Sequence, residues 1–199
     1  RLFLMASSGG LIGIEEAKRR PITLLESGPA AGVIAAGYFG SAIGEEKLFA
    51  FDMGGTTAKL GATENGKPLV THHFEAARES RFTPGSGLPL LISTVDLIEI
   101  GAGGGSIAAP TELGLIGVGP RSAGSIPGPA CYERGGTEPT VTDANLMLGY
   151  LNPDFFAGGS LKISARAAES AVEDLAAATG VEPMRAARGV REIVAEAMA

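Results

Sequence analysis

The residues best suited to chemistry lie in Asp52-Met53-Gly54-Gly55-Thr56-Thr57. The apolar run Leu48 to Met53 reads as a central strand that delivers a carboxylate to its end. Two glycines follow. Lacking a Cβ, they let backbone N–H groups approach an anion closely. The hydroxyls of Thr56 and Thr57 add donors for phosphate oxygens, and a second strand is expected over Ala58–Thr63. Asp52 is anionic like phosphate, so its natural role is to hold Mg²⁺, directly or through water. No Gly-Lys-Ser/Thr follows and a strand replaces the helix, so this is not a Walker loop. The spacing leaves a second reading open, a Gly-Gly turn whose Asp and Thr satisfy local backbone groups.

Other segments offer weaker chemistry. Gly101-Ala102-Gly103-Gly104-Gly105-Ser106 suits a backbone nest for an anion or the lining of a nucleotide cleft; a tight turn at close sheet packing is the alternative. Ser27-Gly28-Pro29 opens a helix whose free N–H groups favour anions, or simply caps it. Asp143 and Asn145 stand near another helix start, where an acid is favoured by the helix dipole whether or not it binds anything. Cys131, with no histidine nearby in sequence, fits a small buried residue better than a nucleophile. His72 and His73 point to opposite faces if they lie on a strand, so they cannot easily share one ion. Arg121 and Arg134 have the chemistry to bind a carboxylate, although solvated loop arginines are the commoner case.

These residues need an α/β framework to position them. Strands are expected at Leu2–Ala6 (buried), Leu48–Met53, Ala58–Thr63, Pro68–Phe74 and Val95–Ile100, with Asn65-Gly66 as a type I′ hairpin turn. Helices are expected over Ile12–Arg20, Ala30–Phe39 and from Thr142, as N-cap, to about Leu151. Glu75–Pro89 reads as a polar loop, and Gly/Pro-rich Pro110–Pro139 as mostly irregular. Ala168, Ala171, Val172, Leu175 and Ala176 repeat at helical spacing, as do Val190, Ile193, Val194, Ala197 and Met198. The expected division is an α/β part over 1–150 and a helical part over 151–199. The chain opens inside a strand pattern and closes inside a helix pattern, so an excised segment of a longer protein is expected.

Composition removes whole classes of function. Of 199 residues, 45% are hydrophobic and 19% charged, which excludes a disordered chain and a coiled coil. A net charge of −6 argues against nucleic-acid and acidic-membrane partners. One cysteine excludes an internal disulfide framework and a cysteine-based zinc site, and fits a reducing, cytoplasmic setting. Glycine, at 30 residues, is about twice its usual share, and without a collagen period the excess belongs in tight loops.

The strand–Asp–Gly-Gly-Thr–hairpin unit resembles the phosphate loops of the actin, hexokinase and heat-shock-70 ATPase fold. Four ordered strings resemble the hydantoinase A / 5-oxoprolinase family more specifically. They are Ser27-Gly28-Pro29-Ala30-Ala31-Gly32-Val33, Phe51-Asp52-Met53-Gly54-Gly55-Thr56-Thr57, Ile100 to Ala108, and Pro127-Gly128-Pro129-Ala130-Cys131-Tyr132 with Arg134 to Asn145 after it. The resemblance covers nearly the whole chain. It implies one actin-like, ribonuclease H-like ATPase half, followed by a helical segment. It implies ATP and Mg²⁺ as cofactors, with Asp52 as the catalytic metal-holding residue. Gly54, Gly55, Thr56, Thr57, Gly103, Gly104 and Gly105 would contact the nucleotide.

The activity implied is hydrolysis of a cyclic amide, such as 5-oxoproline or a hydantoin, activated by phosphorylation. A subunit of an ATP-dependent ketone carboxylase is the alternative, and a non-catalytic subunit of the same fold a third. The implied partners are the rest of the parent chain and a second large, hydantoinase B-like subunit or domain. Two departures stand out. Thr56-Thr57-Ala58-Lys59 leaves no acid two positions after Thr56, and Lys59 reads as a phosphate contact or, more commonly, a solvated strand residue. Glu133 stands where the family often has glycine.

Overall fold

The computed structural model describes residues 1–76 and 85–199, so positions 77–84 of the expected polar loop lie outside the described residues. Contacts divide the chain into two units, Arg1–Asp52 with Lys59–Glu99, and Met53–Ala58 with Ile100–Ala199. Each is mixed α/β.

The first unit starts with an antiparallel pair, β1 (Phe3–Met5) and β2 (Leu11–Gly13). Helix α1 (Ile14–Arg19) runs into a 3-10 turn (Pro21–Leu24), and α2 spans Ser27–Ile43. Strands β3 (Lys47–Met53), β4 (Ala58–Glu64), β5 (Lys67–Pro68), β6 (Val70–Thr71), β7 (Phe74–Ala76), β8 (Leu88–Leu90), β9 (Thr94–Val95) and β10 (Leu97–Ile100) follow. The main sheet has the order β10-β4-β3, with β5 on β4; Met53, Ala58 and Ile100 at its strand ends belong to the second unit. The small antiparallel pairs β6-β9 and β7-β8 stand beside it in sequence.

Small residues let α2 lie close on the sheet. A Cβ on Gly37 would come within 2.7 Å of the Gly66 carbonyl, and one on Gly40 would run into the Leu48 side chain. Asn65 and Gly66 both have positive φ, 52° and 73°, as the type I′ turn requires.

Three expectations are corrected here. The central strand at Leu48–Met53 is an edge strand among the described residues, and Phe49 is 79% exposed. Leu2 and Phe3 are exposed, so the first strand is not buried. The single return strand Pro68–Phe74 is three short pieces, because the chain changes partner along it, from β4 to β9 and then to β8.

In the second unit, β11 (Ser106–Pro110) and β12 (Ile116–Ser122) form an antiparallel hairpin inside the segment expected to be irregular. Helix α3 spans Val141–Met147, α4 Ala165–Thr179 and α5 Pro183–Met198. The last two match the apolar spacing, and Gly180 ends α4 in the left-handed conformation. Their buried faces, including Val172, Leu175, Ala186 and Val190, meet Val141 and Ala144 of α3, Ala108 of β11 and Ile100 in one core. Among the described residues, no helix is long and apolar enough to cross a membrane.

Candidate functional site

The loop between β3 and β4 is held in a defined shape. The Gly54 amide donates to the Thr57 carbonyl at 2.9 Å, which closes a tight turn. Gly54, Gly55 and Thr56 are exposed. Within the described residues the amides of Gly55 and Thr56 make no hydrogen bond. Two adjacent, exposed N–H groups are the donors an anion needs. The Thr56 hydroxyl lies 3.5 Å from that of Ser122.

The second glycine run lies directly against this loop. The Gly104 amide donates to the Gly54 carbonyl at 3.0 Å and the Gly105 amide to the Gly55 carbonyl at 2.6 Å. The Gly103 amide donates to Ser106 Oγ at 2.9 Å. The amides of Gly103, Gly104 and Gly105 are therefore committed inside the protein. This favours close backbone packing over an open anion nest and explains the glycines. A Cβ on Gly103 would sit 2.8 Å from the carbonyl oxygens of both Gly54 and Gly55, and one on Gly105 2.9 Å from that of Gly55.

Helix α3 anchors the glycine run. Both the amide and the hydroxyl of Thr142 donate to the Gly104 carbonyl, each at 2.8 Å. The N-cap of α3 is Thr140, two residues before the expected Thr142, because Thr140 and Asp143 close a capping box. Asp143 is fully buried, and its carboxylate accepts from the amides of Ala130, Cys131 and Thr140 and from the Thr140 hydroxyl. Its role here is to tie the Pro127–Tyr132 segment to α3. Cys131 is fully buried and its thiol pKa is pushed up, first by burial and then by Asp143, which disfavours the reactive thiolate.

Within the first unit, Asp52 is exposed and lines an open groove of about 440 Å³ together with Lys59, Phe49, Phe51 and the α2 residues Pro29 and Gly32. Lys59 is not the solvated residue expected. Its side chain is 15% exposed and lies 3.0 Å from Glu99 and 3.9 Å from Glu26. Burial pushes the Glu26 carboxyl above its ordinary pKa, Lys59 pulls it back, and Glu99 raises it again. Sequence reasoning missed Glu26 and Glu99. The period-2 side-chain alternation of β4 offers Lys59 a face but gives no sign of which acids share it.

The remaining candidates separate clearly. His72 bonds Ser93 through Nδ1, and among the described residues no cluster of His, Cys, Asp and Glu could hold a metal by itself. Arg121 pairs with Glu138, and Arg134 lies over the Tyr132 ring. Glu133 adopts φ 54°, the left-handed region that glycine favours. Helix α2 takes in Ser27-Gly28-Pro29, starting three residues before the expected Ala30, with Glu26 as its N-cap.

The chain matches the hydantoinase/oxoprolinase family over residues 1–199. It is 38% identical to the acetophenone carboxylase gamma subunit of Aromatoleum aromaticum over 99% of this chain, and 39% identical to the 5-oxoprolinase of Saccharomyces cerevisiae over 76%. It spans 26% and 11% of those two proteins. Among solved structures, a nucleotide-free acetone carboxylase superposes with a TM-score of 0.80 at 31% identity, covering 98% of this chain and 26% of that one. The ATP-dependent caprolactamase of Pseudomonas jessenii superposes with a TM-score of 0.73 at 35% identity, covering 98% and 27%. These likenesses carry the actin-like α/β ATPase half expected from the phosphate-loop strings. The chain belongs to the hydantoinase/oxoprolinase family.

Proposed function

We propose that this chain is the part of an ATP-dependent cyclic-amide hydrolase that carries a phosphate-binding loop. The observation that carries the reading is the pair of amides at Gly55 and Thr56, in exposed residues and without a hydrogen bond among the described residues, preceded in the chain by the Asp52 carboxylate. In this reading Gly54, Gly55, Thr56 and Thr57 hold phosphate oxygens, and Gly103, Gly104 and Gly105 support them from behind. Asp52 would hold Mg²⁺. A single carboxylate suffices, because Mg²⁺ commonly takes one or two carboxylates and completes its shell with phosphate oxygens and water. Bound there, the ion would neutralise charge on the phosphates. The residues of the loop would orient the phosphates and stabilise negative charge that develops as phosphate is transferred.

A cyclic amide is resonance-stabilised and resists water. Phosphorylating its oxygen turns that oxygen into a leaving group and makes the carbon a better electrophile. The 5-oxoprolinase and caprolactamase relatives support this substrate class. The carboxylase relatives, and the higher TM-score of the acetone carboxylase, support a second reading in which the activated group is a ketone enol or bicarbonate. The remainder of the parent chain and a second large subunit would supply the ring or carboxylation chemistry.

The test is ADP release by the intact parent enzyme with 5-oxoproline, hydantoins, lactams and simple ketones, each with and without bicarbonate. Release with a cyclic amide, independent of bicarbonate, supports the hydrolase. Release that requires both a ketone and bicarbonate replaces it with the carboxylase. Asp52→Asn should abolish Mg-ATP turnover, and unchanged turnover would remove Asp52 from the metal site.

A further inference from the structure

We infer that Thr142 is a positioning residue for the phosphate loop, acting through two successive peptide planes. The inference rests on the phosphate-binding reading for its consequence, but its physical content is separate. In a trans peptide the carbonyl and the N–H of the next residue belong to one rigid plane and point in opposite directions. The Gly54 carbonyl shares a plane with the Gly55 amide, and the Gly55 carbonyl with the Thr56 amide. Those two carbonyls are held by the amides of Gly104 at 3.0 Å and Gly105 at 2.6 Å. Fixing the carbonyls on one side fixes the two unbonded amides on the other, which creates a preformed pair of anion donors.

The Gly105 amide in turn shares its plane with the Gly104 carbonyl, and that carbonyl accepts both the amide and the hydroxyl of Thr142 at 2.8 Å. Two donors on one carbonyl polarise its plane, so the Gly105 N–H becomes a stronger donor to Gly55, whose plane passes the effect on to the Thr56 N–H. Thr142 can serve as the fixed end because α3 is clamped by the Thr140–Asp143 capping box and by the buried Asp143 carboxylate. The hydroxyl is the adjustable half of this contact. The amide is present whatever the side chain. The Tyr132 hydroxyl also meets the Thr142 side chain, so Tyr132→Phe serves as a control for that contact.

The test uses the full-length parent enzyme with Thr142→Val, Thr142→Ser and Tyr132→Phe. Hydrogen exchange is read without nucleotide in peptides covering residues 53–58 and 101–106, and the dissociation constant for ATP is measured alongside. One ordinary hydrogen bond corresponds to a factor of about 3 to 10. Thr142→Val should speed exchange in both segments and weaken ATP by about that factor, Thr142→Ser should restore both, and Tyr132→Phe should change neither.

Faster exchange at 101–106 with residues 53–58 unchanged would overturn the inference, as would a Thr142→Ser variant that behaves like Thr142→Val. Should Thr142→Val fail to fold, Thr142→Ala removes the same hydroxyl from the Gly104 carbonyl with a smaller side chain and must loosen 53–58 in the same direction; no change there overturns the relay. If the wild-type enzyme binds no ATP, the phosphate reading fails by itself. The exchange at 53–58 in Thr142→Val then still decides the relay.

Discussion

The two units bury their apolar residues differently. In the second, α3, α4, α5 and β11 close a core with Ala58 and Ile100, and its members include Val172, Ala186 and Val190 at 0% exposure. In the first, the buried cluster is Ala30, Val33 and Val95, while Tyr38, Phe39 and Ile43 of α2 and Phe49 and Phe51 of β3 stand in the open. Similar apolar runs in the sequence thus have different outcomes. An apolar run announces that a surface can be buried, and only tertiary partners decide whether it is. The second unit also contains its polar framework, with Asp143 satisfied from three sides, whereas in the first unit the half-buried Lys59 pairs with Glu26 and with the exposed Glu99.

The largest effect that sharpens this contrast is in the second core. Leu175→Ala should destabilise the second unit by about 2–5 kcal/mol, while Phe49→Ser should shift the first by no more than about 0.5 kcal/mol. Denaturant melts of this chain check both, and a comparable loss at Phe49 would erase the contrast. Next, Asp143→Asn removes an acceptor from buried donors and should cost about 1–3 kcal/mol, with hydrogen exchange rising at Ala130 and Cys131. Unchanged exchange there would deny Asp143 its structural role.

In the first unit, Lys59→Met leaves Glu26 beside Glu99 without its cation, so the Glu26 pKa should rise further. A carboxyl with a raised folded pKa favours the fold below its unfolded pKa and loses that contribution as pH rises through the folded value. The variant's thermal deficit should therefore be larger at pH 7 than at pH 4, and an equal deficit at both would show that Glu26 is not the group responding. The smallest effect is at the start of α5. Glu182 accepts from the amides of Met184 and Arg185, which hold its carboxyl below the usual range. Its contribution is present above the unfolded pKa and fades as pH falls through the folded one. Melts of Glu182→Gln should lie slightly below wild type at neutral pH and converge with it in acid.

Local signals made much of this legible. Asn65-Gly66 specified its turn through positive φ, and the apolar spacing of 168–176 and 190–198 marked α4 and α5. The β11–β12 hairpin was hidden because Gly117, Gly119 and Pro120 break up the alternation that marks a strand. The α3 cap was misplaced by two residues although Thr140-x-x-Asp143 follows the spacing of a capping box, with Asp in place of the usual Glu or Gln. At the site, glycine chemistry pointed to Gly54–Thr57. The work of Gly103–Gly105 was not legible, because the carbonyls they approach lie about fifty residues away in the chain and no local pattern names them.

The central claim is that the Gly55 and Thr56 amides receive phosphate. The most direct measurement is a structure of the full-length parent enzyme with a non-hydrolysable ATP analogue and Mg²⁺. The account predicts phosphate oxygens about 3 Å from both amide nitrogens, with the Gly104 and Gly105 hydrogen bonds retained. Phosphates bound elsewhere, with Gly55 and Thr56 still facing solvent, would contradict it.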